Sequence, residues 1–337
     1  MSQTAVAVDY LLRCRPEFKP KIWGGRRLHS VLGKKLPPGQ KIGESWEVAD
    51  IPEGTSAVAN GPLEGWTLRE LMQCRAPGLL RENHHERFPL LVKFIDVARD
   101  TSIQVHPDAD ACRRYFPDEH PKAETWIVVH AEPGAAVYHG LRADCSMADF
   151  VWAVRNNQAQ SCLRRVPVSV GDVIHVAPGT VHALLAGVMV LEIQEPSDST
   201  FRIDDLGRLG PDGRPRELHV EQALLALRPD HDMPAKLEPV PDHFQWGSCE
   251  LLVDCRPYTI HRITLRRQLS WRVARDAPVV ASLVSGRAQI ACRSWEGRAR
   301  AGDTFIIPPR LGEVYVEPAP EAVVIISEPA CKLSTSQ

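Results

Sequence analysis

The 337-residue sequence has no Cys-x-x-Cys pair, no excess of either charge sign and no long apolar run. Each absence removes a class of protein. Cys14, Cys74, Cys112, Cys145, Cys162, Cys249, Cys255, Cys292 and Cys331 make an odd set at irregular spacings. That is neither a disulfide framework nor a thiolate zinc knot, and reduced thiols in a cytosolic protein are expected. Forty Lys plus Arg against 42 Asp plus Glu leave no basic face for nucleic acid and no polybasic anchor for a membrane. No segment approaches the length of a membrane-spanning helix. The opening MSQTAVAVDYLLRC lacks the basic stretch and apolar run of a secretory leader. GGRR (Gly24–Arg27) follows no predicted strand and lacks the lysine of a phosphate-cradling loop. A soluble, cytoplasmic protein is expected.

What is present is punctuation. Twenty-eight Pro and 22 Gly are scattered along the chain, which excludes a helical bundle and predicts many short strands. PLLVKFIDV, TSIQVH, ETWIVVHA, GDVIHVAP and VMVLEIQE read as strands, while WTLRELMQ, DADACRRYF, SMADFVWAVRN and HVEQALLAL read as helices. Residues 204–245 are rich in Asp, Pro, Arg and His and read as a connector. Beyond them CELLVDC, YTIHRITL, PVVASLVSG, RAQIACR, DTFIIPP and EVYVEP are strands again. The expected fold is mainly β: two jelly-roll modules, residues 1–245 and 246–337, with a few inserted helices. An internal repeat supports the second module. Gly171–Pro178 (GDVIHVAP) aligns with Gly302–Pro309 (GDTFIIPP), and carrying the alignment on places Glu313 opposite His182. Only the first module is therefore expected to hold a metal; the second is assigned packing, lid or oligomer contacts.

Strand alternation in TSIQVH puts Ser102, Gln104 and His106 on one face and Ile103 and Val105 on the other. In KAETWIVVH, Glu124 shares a face with Trp126 and Val128, with Lys122 one step earlier. A tight turn in APGTVHALL delivers His182. Two imidazoles, a carboxylate and an amide oxygen make a candidate ligand set for zinc, iron or manganese. Taken one at a time, each is as well explained as an ordinary satisfied side chain, and spacing alone leaves both readings open. His84, His85, His120, His231 and His243 sit in polar loops and read as solvated. Trp23, Trp46, Trp126 and Trp152 read as core or pocket wall.

The sequence resembles the type I phosphomannose isomerases of the cupin superfamily, in their shorter bacterial form. The resemblance rests on IWGG (Ile22–Gly25), GESWEVAD (Gly43–Asp50), FPLLVKFID (Phe88–Asp96), SIQVHPD (Ser102–Asp108), KAETW (Lys122–Trp126), GTVHAL (Gly179–Leu184), EIQEPSDSTFRIDD (Glu192–Asp205) and RELHVEQAL (Arg216–Leu224). It implies one zinc ion held by Gln104, His106, Glu124 and His182. It also implies an active-site Arg202 with Glu192, and places Lys122, Asp198, Lys93 and Ser102 in the substrate pocket. The chain departs from the family at Ala177-Pro178-Gly179, at Phe201 in place of Tyr, and at Ile203 beside Asp204 and Asp205.

The implied reaction interconverts mannose 6-phosphate and fructose 6-phosphate through a cis-enediol. It needs charge beside the substrate oxygens and a proton carrier whose pKa can be moved toward neutrality. Glu192, Lys122 and Asp198 qualify as carriers, and sequence does not choose among them. Arg208, Arg214 and Arg216 read as solvated loop charges. The expected partner is a small sugar phosphate, with no nucleic acid and no membrane, and the chain a monomer or small homo-oligomer. Two other readings stand beside this one: an iron-dependent cupin dioxygenase, which leaves Lys122, Glu192 and Arg202 without a purpose, and a non-catalytic, metal-containing sugar-phosphate binder.

Overall fold

A computed structural model describes residues 8–74, 79, 87–228, 234–273 and 277–330. His84, His85 and His231 lie outside the described residues. The fold is mainly β, as the turn-rich composition predicts. The four predicted helices appear at Leu68–Gln73, Ala109–Tyr115, Met147–Arg155 and Val220–Ala226. The first and third open on capping boxes, Thr67 with Glu70 and Ser146 with Asp149, while Asp108 caps the second. Among the described residues no helix is long and apolar enough to cross a membrane.

The chain forms two compact units that are not consecutive in sequence. One comprises Met1–Glu17, Trp46–Val92 and Glu238–Gln337; the other comprises Phe18–Ser45 and Lys93–Leu237. The first thus takes in N-terminal segments that a linear reading assigned to the first module.

Two sheets, formed mainly by the second unit, face each other. A five-stranded antiparallel sheet runs in the order Leu163–Pro167, Ala136–Leu141, His182–Leu184, Ile103–Val105 and Phe201–Asp204. A six-stranded sheet runs Val173–Val176, Glu124–Ala131, Val188–Gln194, Leu91–Val97, Glu17–Gly25 and Ile42–Val48. Val137 and Leu184 from the first sheet and Trp126, Val128, Ile174, Val176 and Val190 from the second form one buried cluster between them. Each such side chain contributes about 1.5–3 kcal/mol by leaving water. The outer face of the five-stranded sheet carries Ile103, Val105, Phe201 and Ile203. It is covered by Phe150, Ala153 and Val154 of the third helix and Ala223 and Ala226 of the fourth. Alternation along Ile103–Val105 therefore sends apolar residues outward under the helices and Gln104 inward.

IWGG has a packing role. A Cβ on Gly24 would lie 2.4 Å from the backbone nitrogen of Gly43, so these two strands require glycine to approach. Arg27 of GGRR grips the buried Asp96, donating from its backbone N–H and from Nε at 2.6 and 2.7 Å.

The first unit holds a ten-stranded sheet along the path Asp242–Phe244, Gly247–Asp254, Tyr258–Leu265, Gly312–Pro329, Val279–Cys292, Thr304–Ile307, Leu12–Arg15 and Ala57–Val58, with Leu269–Val273 and Trp295–Arg300 paired alongside. Two segments read as separate strands, PVVASLVSG and RAQIACR, are one strand, Val279–Cys292, with register shifts on either side of Gly286. Glycine is needed there: φ is +78° and a Cβ would lie 2.0 Å from the carbonyl oxygen of Glu321.

The internal repeat has a physical counterpart. Gly171 and Gly302 both take φ of +93°. Asp172 accepts from the N–H of Ser169 at 2.8 Å, and Asp303 from that of Arg300 at 3.0 Å. Each turn then exchanges a pair of backbone bonds with a neighbouring strand residue, Val128 in one case and Leu283 in the other. Inside, the units differ. Facing side chains in the first unit are apolar, among them Leu283, Ile290, Phe305, Val314 and Val324. Glu313, which aligns with His182, is exposed and accepts from the Ser270 hydroxyl at 2.8 Å.

Candidate metal centre

Across the five-stranded sheet of the second unit, cross-strand pairing sets His139 opposite His182, His182 opposite Gln104, and Gln104 opposite Arg202. Paired residues share a face, so the four side chains form one row across the sheet. His182 reaches that row through Ala177–Thr180, closed by the bond from Thr180 N–H to Ala177 carbonyl at 3.0 Å. Pro178 and Gly179 fill the second and third positions, and Gly179 has φ of +88°, the requirements of a type II turn. A Cβ on Gly179 would also lie 2.5 Å from Arg228 Cγ. From the six-stranded sheet, Glu124 points into the same space. His106, Glu124 and His182 offer ligand atoms within 4.8 Å of one another, and all three are buried.

The ring orientations follow from backbone carbonyls. His106 Nδ1 lies 2.8 Å from the Ser199 carbonyl and His182 Nδ1 lies 2.8 Å from that of Thr180. A carbonyl only accepts, so both Nδ1 atoms carry the proton and both Nε2 atoms present lone pairs. Those lone pairs face Glu124: His106 Nε2 is 3.3 Å from Oε2, and His182 Nε2 is 3.2 Å from Oε1. Both oxygens of Glu124 are buried, and Lys122 Nζ lies 3.2 Å from Oε2. Two lone pairs and a carboxylate converging on one point are costly unless positive charge lies among them, a need that a divalent ion meets more fully than a single ammonium. Gln104 completes the set. Its amide nitrogen is placed 3.2 Å from His182 Nε2, and a half-turn of the amide puts its oxygen there instead. Two neutral imidazoles, a carboxylate and an amide fit a divalent ion that takes nitrogen and oxygen ligands.

The electrostatics keep the candidate ligands in the forms that could bind a metal. Burial, reinforced by the Lys122 ammonium, pushes His106 down to about 3. Burial also lowers His182, and brings His139 to about 4. Burial opposes ionisation of Glu124, yet the Lys122 ammonium beside it holds it well below the usual carboxylate range. The three histidines make a prediction for the metal-free protein. Their folded pKa values lie below the unfolded value of about 6.5, so acid protonates the unfolded chain first. The stability they contribute is complete above about pH 6.5 and is lost as pH falls toward their folded values. Within that window each contributes a slope of about 1.4 kcal/mol per pH unit. Denaturant midpoints of metal-free protein should therefore fall between pH 7 and pH 5; equal midpoints would contradict the neutral, buried assignment.

Among the other residues predicted for the site, Lys122 is at the centre, with Nζ 3.2 Å from both Glu124 Oε2 and His106 Nε2. Ser102 donates to Gln104 Oε1 at 3.3 Å. Glu192 stands beside Trp126 in the sheet register and is tied down twice, by Trp126 Nε1 at 2.8 Å and Lys93 Nζ at 2.9 Å. Burial and the Glu124 charge raise its proton affinity. Burial works against a charged Lys93, but Glu192, Glu44 and Asp198 hold its pKa above the ordinary value. Asp198 is exposed on the loop leading to Arg202, outside the ligand cluster. Arg202 joins the row through Gln104; its Nη1 donates to the Glu217 carbonyl at 2.6 Å, while its buried Nε has no partner among the described residues.

Arg208 and Arg216 are not solvated. Both grip the buried Asp205, Arg208 Nη2 at 2.6 Å and Arg216 Nε at 2.7 Å. Arg214 is exposed, as expected. Sequence reasoning missed the carbonyls of Ser199 and Thr180, because any residue type supplies a carbonyl. It also missed His139, whose Nε2 lies 2.9 Å from the His175 carbonyl. No element was predicted over Ala136–Leu141, so nothing in the sequence singled His139 out.

Comparison with known proteins points to one family. Residues 11–129 match the family model described as phosphomannose isomerase type I, catalytic domain. The probable mannose-6-phosphate isomerase GmuF of Bacillus subtilis (strain 168) is 31% identical over 313 residues, covering 90% of this chain and 94% of that protein. The mannose-6-phosphate isomerase of Streptococcus mutans is 32% identical, covering 87% and 90% respectively. The crystal structure of the mannose 6-phosphate isomerase from Bacillus subtilis superposes with a TM-score of 0.87 at 30% identity, over 94% of this chain and 99% of that one. At 16% identity, a putative mannosephosphate isomerase from Archaeoglobus fulgidus shares the fold, with a TM-score of 0.76. With close to a third of its residues identical along nearly the whole length of such relatives, the chain belongs to the type I phosphomannose isomerases.

Proposed function

We propose that this chain interconverts mannose 6-phosphate and fructose 6-phosphate through a cis-enediol, with one zinc ion held by Gln104, His106, Glu124 and His182. The carrying observation is the buried Glu124 carboxylate, faced by the lone pairs of two imidazoles at His106 Nε2 and His182 Nε2. The relatives named mannose-6-phosphate isomerases support the choice of substrate. When bound, the zinc ion supplies Lewis-acid charge beside the substrate oxygens.

The chain's own residues supply the rest. Arg202 is permanently charged and keeps its Nε–H free, so it stabilises negative charge as the enediolate forms. Glu192, held by Trp126 and Lys93 with its proton affinity raised, takes the proton from carbon and returns it next door. Lys122 donates to a substrate oxygen from beside Glu124. Lys93 acts through Glu192 and Ser102 through Gln104. Asp198, on the exposed loop, contacts the substrate from the solvent side. The reaction is placed in the cytoplasm, where the reduced thiols are at home.

A coupled assay that follows fructose 6-phosphate from mannose 6-phosphate tests this reading. Chelation is expected to abolish turnover, and added zinc to restore it. Turnover that survives complete metal removal would reject the zinc site, and iron-dependent oxygen uptake without isomerisation would reject the reaction. In the same assay Glu313→Ala is expected to leave both turnover and metal content unchanged, because its carboxylate is exposed and bonded to Ser270. A loss of metal there would overturn the assignment of one metal site to the second unit alone.

A further inference from the structure

The RELH segment, Arg216–His219, has no role in the chemistry above, yet it runs along the free side of Arg202. Arg202 donates its backbone N–H to His219 Nδ1 at 3.2 Å and accepts from the His219 backbone N–H at 2.7 Å. Its Nη1 donates to the Glu217 carbonyl at 2.6 Å. On its other side Arg202 is paired with Gln104. His219 breaks a local rule to do this. It occupies the N-cap of Val220–Ala226, where Ser, Thr, Asp and Asn are favoured for bonding the helix N–H groups, but its side chain makes no capping bond. The imidazole is turned to Arg202 instead, and because Nδ1 is the acceptor the ring proton sits on Nε2. The segment is anchored at both ends. Arg216 binds Asp205 at 2.7 Å, and Ala223 and Ala226 are buried in the cluster that holds Phe201 and Ile203.

We infer that Glu217 and His219 form a clamp that aims the Arg202 guanidinium, with His219 as a positioning residue for the isomerisation. The clamp occupies Nη1 and the main chain and leaves Nε–H free and buried, the arrangement needed to present a guanidinium edge to developing negative charge. This rests on the role given to Arg202 above. Local rules broken without local benefit are expected at functional sites.

Steady-state kinetics on mannose 6-phosphate, with bound metal counted for each variant, test the clamp. His219→Ala should lower kcat about 10- to 100-fold, the range expected when a reacting group is misplaced by about 1 Å. Metal content should stay unchanged and KM should move far less than kcat. His219→Asn should recover most of the loss, because Oδ1 takes the position of Nδ1; His219→Gln, whose oxygen lies one atom too far, should not. In an Arg202→Ala background His219→Ala should add no further loss, as groups acting as one unit are non-additive. If Arg202→Ala destroys turnover while His219→Ala spares it, or if the two losses multiply, the clamp is wrong and the role of Arg202 stands. If Arg202→Ala itself keeps normal turnover, both fall. Should His219→Ala fail to fold, the Asn and Gln pair decides, and a fully active His219→Gln overturns the inference.

Discussion

Replacing His182 with alanine should strip the centre of its metal and leave no measurable isomerase activity. His182 is fully buried, its Nδ1–H is fixed by the Thr180 carbonyl, and its Nε2 faces Glu124 Oε1 at 3.2 Å. A catalytic site has few ligands to spare. Loss of an outer-shell partner alone typically costs 10–100-fold in affinity, so loss of a ligand should exceed about 100-fold. The effect should be specific. His182 lies in the same row as His139, whose Nε2 is committed to the His175 carbonyl rather than to the centre. His139→Ala should therefore lower stability while retaining metal. Elemental analysis after dialysis, with thermal melts of both variants, separates a lost ligand from a damaged core. Full metal occupancy in folded His182→Ala would remove it from the ligand set.

Arg202→Ala should do the opposite: keep the ion and lose the chemistry. No ligand atom contacts the Arg202 guanidinium; its bonds run to Glu217 and, through the main chain, to His219. Removing one preorganised donor at a site of developing negative charge typically costs about 10²–10³ in kcat. A loss of that size with unchanged metal content is expected. Arg202→Lys should fail to rescue it, because an ammonium cannot occupy both the Glu217 carbonyl and the substrate with one fixed fork. Normal turnover in Arg202→Ala, measured with saturating substrate, would contradict the assignment.

Much of this site could be read from the sequence because strand alternation is a local property. Ile103 and Val105 against Ser102, Gln104 and His106 sort by period two, and the structure puts the first pair under the helices. The turn before His182 was equally plain, since Pro178 and Gly179 fit few other conformations. What could not be read depends on pairing between distant segments. That His139, His182, Gln104 and Arg202 form one row is a matter of register among four strands, which no single strand encodes. The Ser199 and Thr180 carbonyls that set the two tautomers carry no residue signature. Arg208 and Arg216 looked like loop charges because Asp205, the carboxylate that gathers them, lies between them in space. The bulge at Gly286 looked like a strand end for the same reason: glycine punctuates both.

The central claim is that four side chains from three β segments grip one ion. Zinc-edge anomalous diffraction from crystals of the protein purified with zinc tests it most directly. A single strong peak is expected about 2.0–2.2 Å from His106 Nε2, His182 Nε2 and a Glu124 oxygen, with the Gln104 amide turned toward it. A zinc-loaded crystal with no anomalous peak at Glu124, or with its peak on other residues, would contradict the account.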